Sequence, residues 1–434
     1  MPADSMLAMS VLSNLNSHDI KSSYPTEIVN SEFPVSKFTL LKDVIDKNKL
    51  EDLIYMKHKA VLFRCVLQNV TLKDDLTPVP YIPTSKCRGI YNGAYDNGRV
   101  LSAEVIGEIT LTDLDYDIIR KQYDFDITIL EVATARYGKL PKQLRDVVMK
   151  YFQNKTDYQD KPTDSEHTAE FYKLLYNKMK NLLNAQYGMM AQDPVKRSIK
   201  YVNGDDDLYE PEDTEEEILL NDHNKHAFLN YAWGVWVTAR ARAHLQAGID
   251  LAGNQFVYCD TDSVKYVGEL DWSALNEPVI KEAKKNKTFA VDPQGQAVYM
   301  GLFEPEKHIK RFKTMGAKKY AYIDDDDNLH ITIAGVNKRI GAIELERAAK
   351  KHDVKIGPPV DPLMMMDEGF VFKYGGGLEA RYSDEPKTTE YNTPDGVPIR
   401  ITRNVSLVDN TKTLGLTGEY RELLNRCKKM YIDL

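Results

Sequence analysis

The stretch that most constrains this chain is Phe256-Val257-Tyr258-Cys259-Asp260-Thr261-Asp262-Ser263-Val264-Lys265-Tyr266. Apolar, aromatic-rich flanks on either side of a short polar centre predict a tight β-hairpin. Period-two alternation then sets Asp260 and Asp262 on the same side of the extended chain. Two carboxylates held that close repel unless a cation lies between them, and hard divalent ions prefer oxygen ligands. Taken alone, such an Asp-x-Asp reads first as a solvated turn, so its meaning depends on what else the chain carries.

With 434 residues, 42% hydrophobic and 28% charged, the chain can bury two or three packed subregions. No apolar run reaches the roughly 18 to 20 residues that cross a bilayer, and no basic n-region precedes the mildly apolar start. Cys65, Cys87, Cys259 and Cys427 are scattered without a CxxC pair, which argues against a zinc cluster or a disulfide framework and fits a reducing interior. These features predict a cytoplasmic protein. The net charge of −8 is unevenly spread: 205–217 holds nine acidic and no basic residues, and Asp324 to Asp327 adds four more. Lys307 to Lys313 and Lys318-Lys319 form a basic segment. Local distribution governs attraction to phosphate, so a nucleic-acid partner is compatible with this balance.

From the N-terminus, His18-Asp19-Ile20-Lys21-Ser22-Ser23-Tyr24-Pro25 predicts a strand ending at Asp19 and a turn into a helix near Pro25. Such a turn exposes a carboxylate together with backbone N–H groups, a nest suited to a metal-bound triphosphate, or else is an ordinary Asp before a proline. Lys59 to Leu67 and Arg99 to Thr110 read as strands, Pro78 to Gly98 as loop, Ile118 to Ile129 as a further strand region, and Leu140 to Tyr151 as a helix. Ser165 to Tyr187 is the clearest helix: Phe171, Leu174, Leu175, Met179, Leu182 and Leu183 keep helical spacing. Lys173, Asn177, Lys180, Asn184 and Tyr187 recur at intervals of four, three, four and three, one stripe on another face. That stripe is either a wet helix face or a binding surface, and Gly188 is expected to end the helix. Lys155 and Lys161 lie in a polar connection upstream. A second helix, Asn224 to Ala247, carries Thr238, Arg240 and Arg242, and leads into the hairpin. Tyr320 to Ile323 and Leu329 to Ile333 flank the four Asp as another hairpin. From about Ile340 a shorter module follows: a helix at Glu344 to His352, a loop at Gly375 to Gly377, and a helix near Gly418 to Cys427.

Three motifs in this order resemble those of the family B (polymerase alpha-like) DNA polymerases, phage-type. Asp19-x-x-Ser22-x-Tyr24-Pro25 resembles motif A, with Ser23 where Leu is usual. Lys180-x-x-x-Asn184-Ala185-x-Tyr187-Gly188 resembles motif B, with Ala185 where Ser is usual. Tyr258-Cys259-Asp260-Thr261-Asp262-Ser263 matches motif C. Lys318-Lys319-Tyr320 resembles the family's KxY motif, and Thr238-Ala239-Arg240-Ala241-Arg242 a Thr/Arg motif of the protein-primed members. The resemblance covers Asp19 to Gly335.

It implies an α+β fold with right-hand architecture: an antiparallel-sheet palm, short helical fingers and a small thumb. Residues 1–30 would be the first part of the palm, 31–152 an extension with loops that clamp DNA or a terminal protein, 153–190 the fingers, 191–340 the rest of the palm, and 341–434 the thumb. It further implies a template-directed DNA polymerase working by two-metal phosphoryl transfer with Mg²⁺, or Mn²⁺ in its place. Asp19, Asp260 and Asp262 would be catalytic; Asp19, Asp262 and the Ile20 carbonyl would bind metal. Ser22, Ser23, Tyr24, Lys161, Lys180, Asn184 and Tyr187 would bind the nucleotide, with Tyr24 as a steric gate against the 2′-hydroxyl. Lys318 and Tyr320 would grip the primer terminus, and Thr238 and Arg242 the DNA backbone. The implied partners are primer–template DNA, dNTPs, and either a separate exonuclease subunit or a terminal protein, with no membrane; the implied place is the cytoplasm, of the host for a phage enzyme. The eighteen residues before Asp19 are too few for the family's 3′–5′ exonuclease, which predicts a polymerase region only. The alternative is a non-catalytic, polymerase-like DNA-binding subunit. A calcium-binding reading of the Asp runs fails on EF-hand spacing, and motif B with DTD disfavours a reverse transcriptase.

Overall fold

A computed structural model describes residues 10–74, 77–193, 227–356, 360–376, 378–392 and 398–415. Two antiparallel sheets and the helices between them build an α+β fold. The central sheet has six strands: β1 (Leu12–Ile20) lies between a hairpin and a three-strand meander. The chain reaches the second sheet through helix α1 (Ser23–Asn30), then forms β2 (Lys59–Leu72), β3 (Arg88–Tyr91), β4 (Arg99–Thr112), α2 (Asp113–Gln122) and β5 (Tyr123–Gly138). Helices α3 (Lys142–Tyr158), α4 (Ala169–Met190) and α5 (Tyr231–Ala252) follow, and α5 delivers the chain to the hairpin of β6 (Phe256–Asp260) and β7 (Ser263–Val267). Beyond α6 (Ser273–Asn286) come β8 (Phe303–Thr314), β9 (Lys319–Asp324), β10 (Leu329–Ile333) and α7 (Lys338–Ile356). The central sheet therefore runs β10-β9-β8-β1-β7-β6, every neighbouring pair antiparallel. The second sheet orders as Phe33–Pro34, β5, β2, β4, β3. Leu378–Asn392 and Pro398–Asp409 pair as a separate hairpin.

The predicted strands from Lys59 and from Arg99, the hairpins, and the helices at Leu140, Ser165 and Glu344 are present, most of them with shifted ends. Four expectations need correction. Residues Pro78 to Gly98 are not only loop, since they hold a 3₁₀ turn at Thr84–Lys86 and two short strands paired with β4. Ile118 to Gln122 is helix, not strand. Thr112 and Asp115 cap α2 reciprocally, side chain to backbone, and this capping box starts a helix that the β-branched pair Ile118-Ile119 then follows. Helix α4 starts at Thr168, whose hydroxyl accepts from the Phe171 N–H, and runs through Gly188 to Met190. Buried Met190 packs with Trp236 and Val237 of α5, so tertiary packing carries the helix past the glycine. Helix α5 begins later than Asn224, at the Asn230 cap on Trp233. The acidic run 205–217 and the expected helix near Gly418 to Cys427 lie outside the described residues.

The hairpin of β6 and β7 is buried on both faces. On one, Phe256, Cys259 and Val264 pack with Ile20, Ile249, Trp272 and Phe303; on the other, Tyr258 packs with Leu15, Phe312 and Tyr320. Gly248 of α5 lies against Phe303, where an added Cβ would come within 2.7 Å of the ring. Helix and sheet meet that closely only because the residue is glycine. Among the described residues no helix is long and apolar enough to cross a membrane.

Candidate active site

Asp19 is the penultimate residue of the central strand, placed opposite Ser263 on one side and Glu304 on the other. One residue on, the Ile20 N–H donates to the Asp262 carbonyl at 2.8 Å. That bond ties the end of β1 to the hairpin turn, and Asp19, Asp260, Asp262 and Glu306 line one cavity of about 380 Å³. Asp262 sits in the turn itself, not on a strand as simple alternation implied. Its N–H donates to the Asp260 carbonyl at 2.6 Å across Thr261, which has φ +59°. A β-branched residue in the left-handed region is strained, and such strain persists where the surroundings impose it.

The carboxylates are desolvated and crowded. Burial raises the Asp19 carboxyl to about 7, helped by the charges of Asp262 and Glu306 and opposed by Lys265 and Lys180. Burial also raises Asp262, with Asp260 adding to the effect. Two lysines answer this charge. Lys318 ion-pairs with Asp260 and donates to the Thr261 hydroxyl at 3.0 Å, while its backbone N–H donates to the Tyr258 hydroxyl at 3.1 Å. Lys265 is buried, 3% exposed, and donates to Ser263 at 3.1 Å and Ser17 at 3.4 Å; Ser17 in turn donates to Glu306 at 3.0 Å. Tyr320 donates to Asp260 at 3.3 Å. Among the described residues no three His, Cys, Asp or Glu side chains converge closely enough to enclose a metal ion by themselves. The donor set nonetheless fits one: half-buried, mutually repelling carboxylates are oxygen ligands short of positive charge.

Next to this cavity the chain turns at Ser22 (φ +55°) into α1. Ser22 accepts from Lys155 at 3.3 Å, and Ser23 is buried. The Tyr24 ring lies 4.7 Å from that of Tyr187, tilted by 33°. Burial raises the Tyr24 hydroxyl, with Tyr187 and Asp262 adding to it. On α4 the stripe faces outward: Lys173, Asn177, Lys180 and Asn184 are exposed and Tyr187 is half-buried. Lys180 is close enough for its charge to act on Asp19.

Three of the expected residues lie apart from this cluster. Lys161 sits in the connection between α3 and α4, over the Tyr172 ring at 4.0 Å and 3.5 Å from Asp164. Arg242 pairs with buried Asp115 at 2.8 Å and donates to the Tyr81 hydroxyl at 3.1 Å. Thr238 donates to the Val235 carbonyl of its own helix at 2.8 Å.

Lys265 and Glu306 are the site residues that sequence reasoning missed; Lys155, expected in a polar connection, lies in α3, which runs on to Tyr158. Lys265 had a signal, because it alternates with Ser263 on one strand face. Burial lowers the Lys155 ammonium to about 8, with Lys21 and Lys180 pressing the same way and Glu304 and Asp19 opposing.

The sequence model of DNA polymerase type B, organellar and viral, matches residues 7–266, which include Asp19, the α4 stripe and the hairpin. No curated protein sequence matches the chain. Among solved structures, phi29 DNA polymerase in an orthorhombic crystal form is similar at 18% identity and a TM-score of 0.53, over 94% of this chain and 59% of that one. Phi29 DNA polymerase complexed with primer–template DNA gives 16% and 0.53. The complex with primer–template DNA and incoming nucleotide substrates gives 18% and 0.52, with the same coverage. At such identities the likeness is one of fold, and the chain spans 59% of the length of these polymerases.

Proposed function

The chain belongs to the type B DNA polymerases, organellar and viral, and from that footing we propose that it extends a DNA primer by template-directed phosphoryl transfer. One observation carries the reading: Asp19 on the central strand and Asp262 in the hairpin turn are stitched together by the Ile20–Asp262 backbone bond, and each is raised by burial among other carboxylates. Two Mg²⁺ ions, or Mn²⁺ in their place, would supply a more acidic primer 3′-hydroxyl and a stabilised pyrophosphate leaving group. Asp19, Asp262 and the Ile20 carbonyl would hold them, with Asp260 in support.

The remaining side chains bind and orient. Lys180 and Lys155 would balance the triphosphate charge from two sides, with Ser22 and Ser23 at the turn between them. Lys161 and Lys173 are farther out and would reach the phosphates only if α4 moved inward. Asn184 and Tyr187 would flank the nascent pair, and the Tyr24 ring would close off the space for a 2′-hydroxyl. Lys318 and Tyr320, both bonded to Asp260, would pass from that carboxylate to the primer terminus. Thr238 and Arg242 would serve the DNA backbone. In this reading the central sheet is the palm, formed by residues 1–30 and 191–340, while 31–152 extends it. Residues 153–190 are the fingers and 341–434 the thumb.

The test is Asp262→Asn. Primer extension should be abolished while fluorescence anisotropy still reports primer–template binding. Extension that persists at saturating Mg²⁺ would sink the metal assignment.

A further inference from the structure

On the face of the hairpin opposite the carboxylates, three cations from three separate elements line one cavity. Cys259 alternates with Tyr258 and Asp260 along β6 and so faces the other way. It borders a space of about 220 Å³ whose walls carry Lys86, Arg99 and Arg242, beside Tyr81, Gln246 and Leu245. Positive charge is in excess there. Asp115 neutralises Arg242. Arg99 donates to the Tyr81 carbonyl at 2.7 Å, but among the described residues neither Arg99 nor Lys86 has a carboxylate at ion-pair distance. Burial lowers the Lys86 ammonium, with the charges of Arg242 and Arg99 adding to it and Asp115 opposing. Half-enclosed like charges that press on one another favour an anion between them.

The shape of the donors narrows the anion. The Arg99 guanidinium and the Lys86 ammonium, with the part of the Arg242 guanidinium that Asp115 and Tyr81 do not engage, match the several oxygens of a phosphate better than a single-atom ion. Leu245, Ile249 and Val79 make the remaining wall apolar, which suits the carbon side of a phosphate ester. The geometry points to a phosphate-binding subsite formed by Lys86, Arg99 and Arg242. It takes one phosphate group, either from a nucleic-acid strand or free in solution. This deepens the polymerase reading and rests on it only for naming the strand as carrier. Arg242 and its Asp115 partner are held by α5 and α2, while Arg99 starts β4 of the second sheet and Lys86 ends the 3₁₀ turn beside it. A phosphate here would therefore bridge helix α5 and the second sheet.

The experiment compares the wild type with Lys86→Gln and with Lys86→Gln/Arg99→Gln. Anisotropy of a short fluorescein-labelled oligothymidylate is followed against salt, and inorganic phosphate is titrated by calorimetry. A strand phosphate predicts roughly tenfold weaker oligonucleotide binding in the double variant and a salt slope smaller by about 1. A free-phosphate site predicts heat from inorganic phosphate that the double variant loses. Unchanged values in both arms would overturn the proposal. Lys86 ends a short 3₁₀ turn and lies in no strand or longer helix, so its single variant keeps the test decisive if the double variant fails to fold. Wild-type primer extension, run alongside, separates the two readings. Extension with unaltered binding in the variants defeats the subsite alone, whereas no extension defeats the polymerase reading.

Discussion

Tyr24, in the first turn of α1, and Tyr187, near the end of α4, hold their rings 4.7 Å apart at 33°. Each ring limits where the other can go, so the wall beside the carboxylates is set by a pair rather than by one residue. Tyr24→Ala should open that wall and admit ribonucleotides. One lost steric contact in a pocket is worth about 10- to 200-fold in discrimination. Single-nucleotide incorporation of rNTP against dNTP measures it, and unchanged sugar selectivity would remove Tyr24 as the gate.

Lys155 supplies a pH prediction. Its ammonium is lowered to about 8 in the folded chain from an ordinary value of 10.5, first by burial and then by Lys21 and Lys180. Between those values the unfolded chain binds the extra proton, so stability rises with pH through that window. At pH 7 the buried charge is a burden, and Lys155→Met should melt at a higher temperature than the wild type. Function should run the other way. If the charged form binds the triphosphate, kcat/KM for dNTPs falls as pH passes about 8. Lys155→Arg should move that limb to higher pH, and identical profiles for wild type and Lys155→Arg would exclude the role.

What could be read from the sequence was local. The strand ending at Asp19, the β6–β7 hairpin and the α4 stripe each depend on periodicity within one element. What could not be read depends on how elements cross. Lys155 and Lys161 looked equivalent in one polar stretch, and only the packing of α3 against α1 and α4 decides that Lys155 reaches Ser22. Glu306 arrives from β8 at a bulge, between Pro305 and Lys307, which pair with His18 and Ser17. The cluster of Lys86, Arg99 and Arg242 joins three segments with no shared pattern. The Ile118 region was different: its capping box at Thr112 and Asp115 was visible, and β-branched residues masked it.

Lys265 is buried among Asp19, Asp260 and Glu306, whose charges act on it. Replacing it by Met leaves Asp19 and Glu306 without their buried cation, while Lys318 still pairs with Asp260. Burial lowers the Lys265 ammonium while those carboxylates raise it, so its removal relieves a desolvated charge but sharpens the repulsion among the carboxylates, which a bound divalent ion offsets by mass action. Mg²⁺ should therefore raise the melting temperature of Lys265→Met by more than it raises that of the wild type. Equal Mg²⁺-induced shifts in the two proteins, measured by scanning calorimetry, would refute the charge-balancing role.

Gly188 lies inside α4, and a Cβ there would meet no atom within 4 Å. Glycine in a helix interior costs roughly 0.5–1 kcal/mol relative to alanine, and local packing gives no reason to keep it. In the proposed function the reason is the open space itself, since Asn184 and Tyr187 border the place where a nascent base pair would lie. Gly188→Ala should then stabilise the chain by about 0.5 kcal/mol, the lower figure because the helix ends two residues later. It should also raise the KM for all four dNTPs, as the methyl group intrudes on that space. Stabilisation with unchanged KM would leave the helix argument standing and detach Gly188 from the nucleotide. A lower melting temperature would contradict the helical placement.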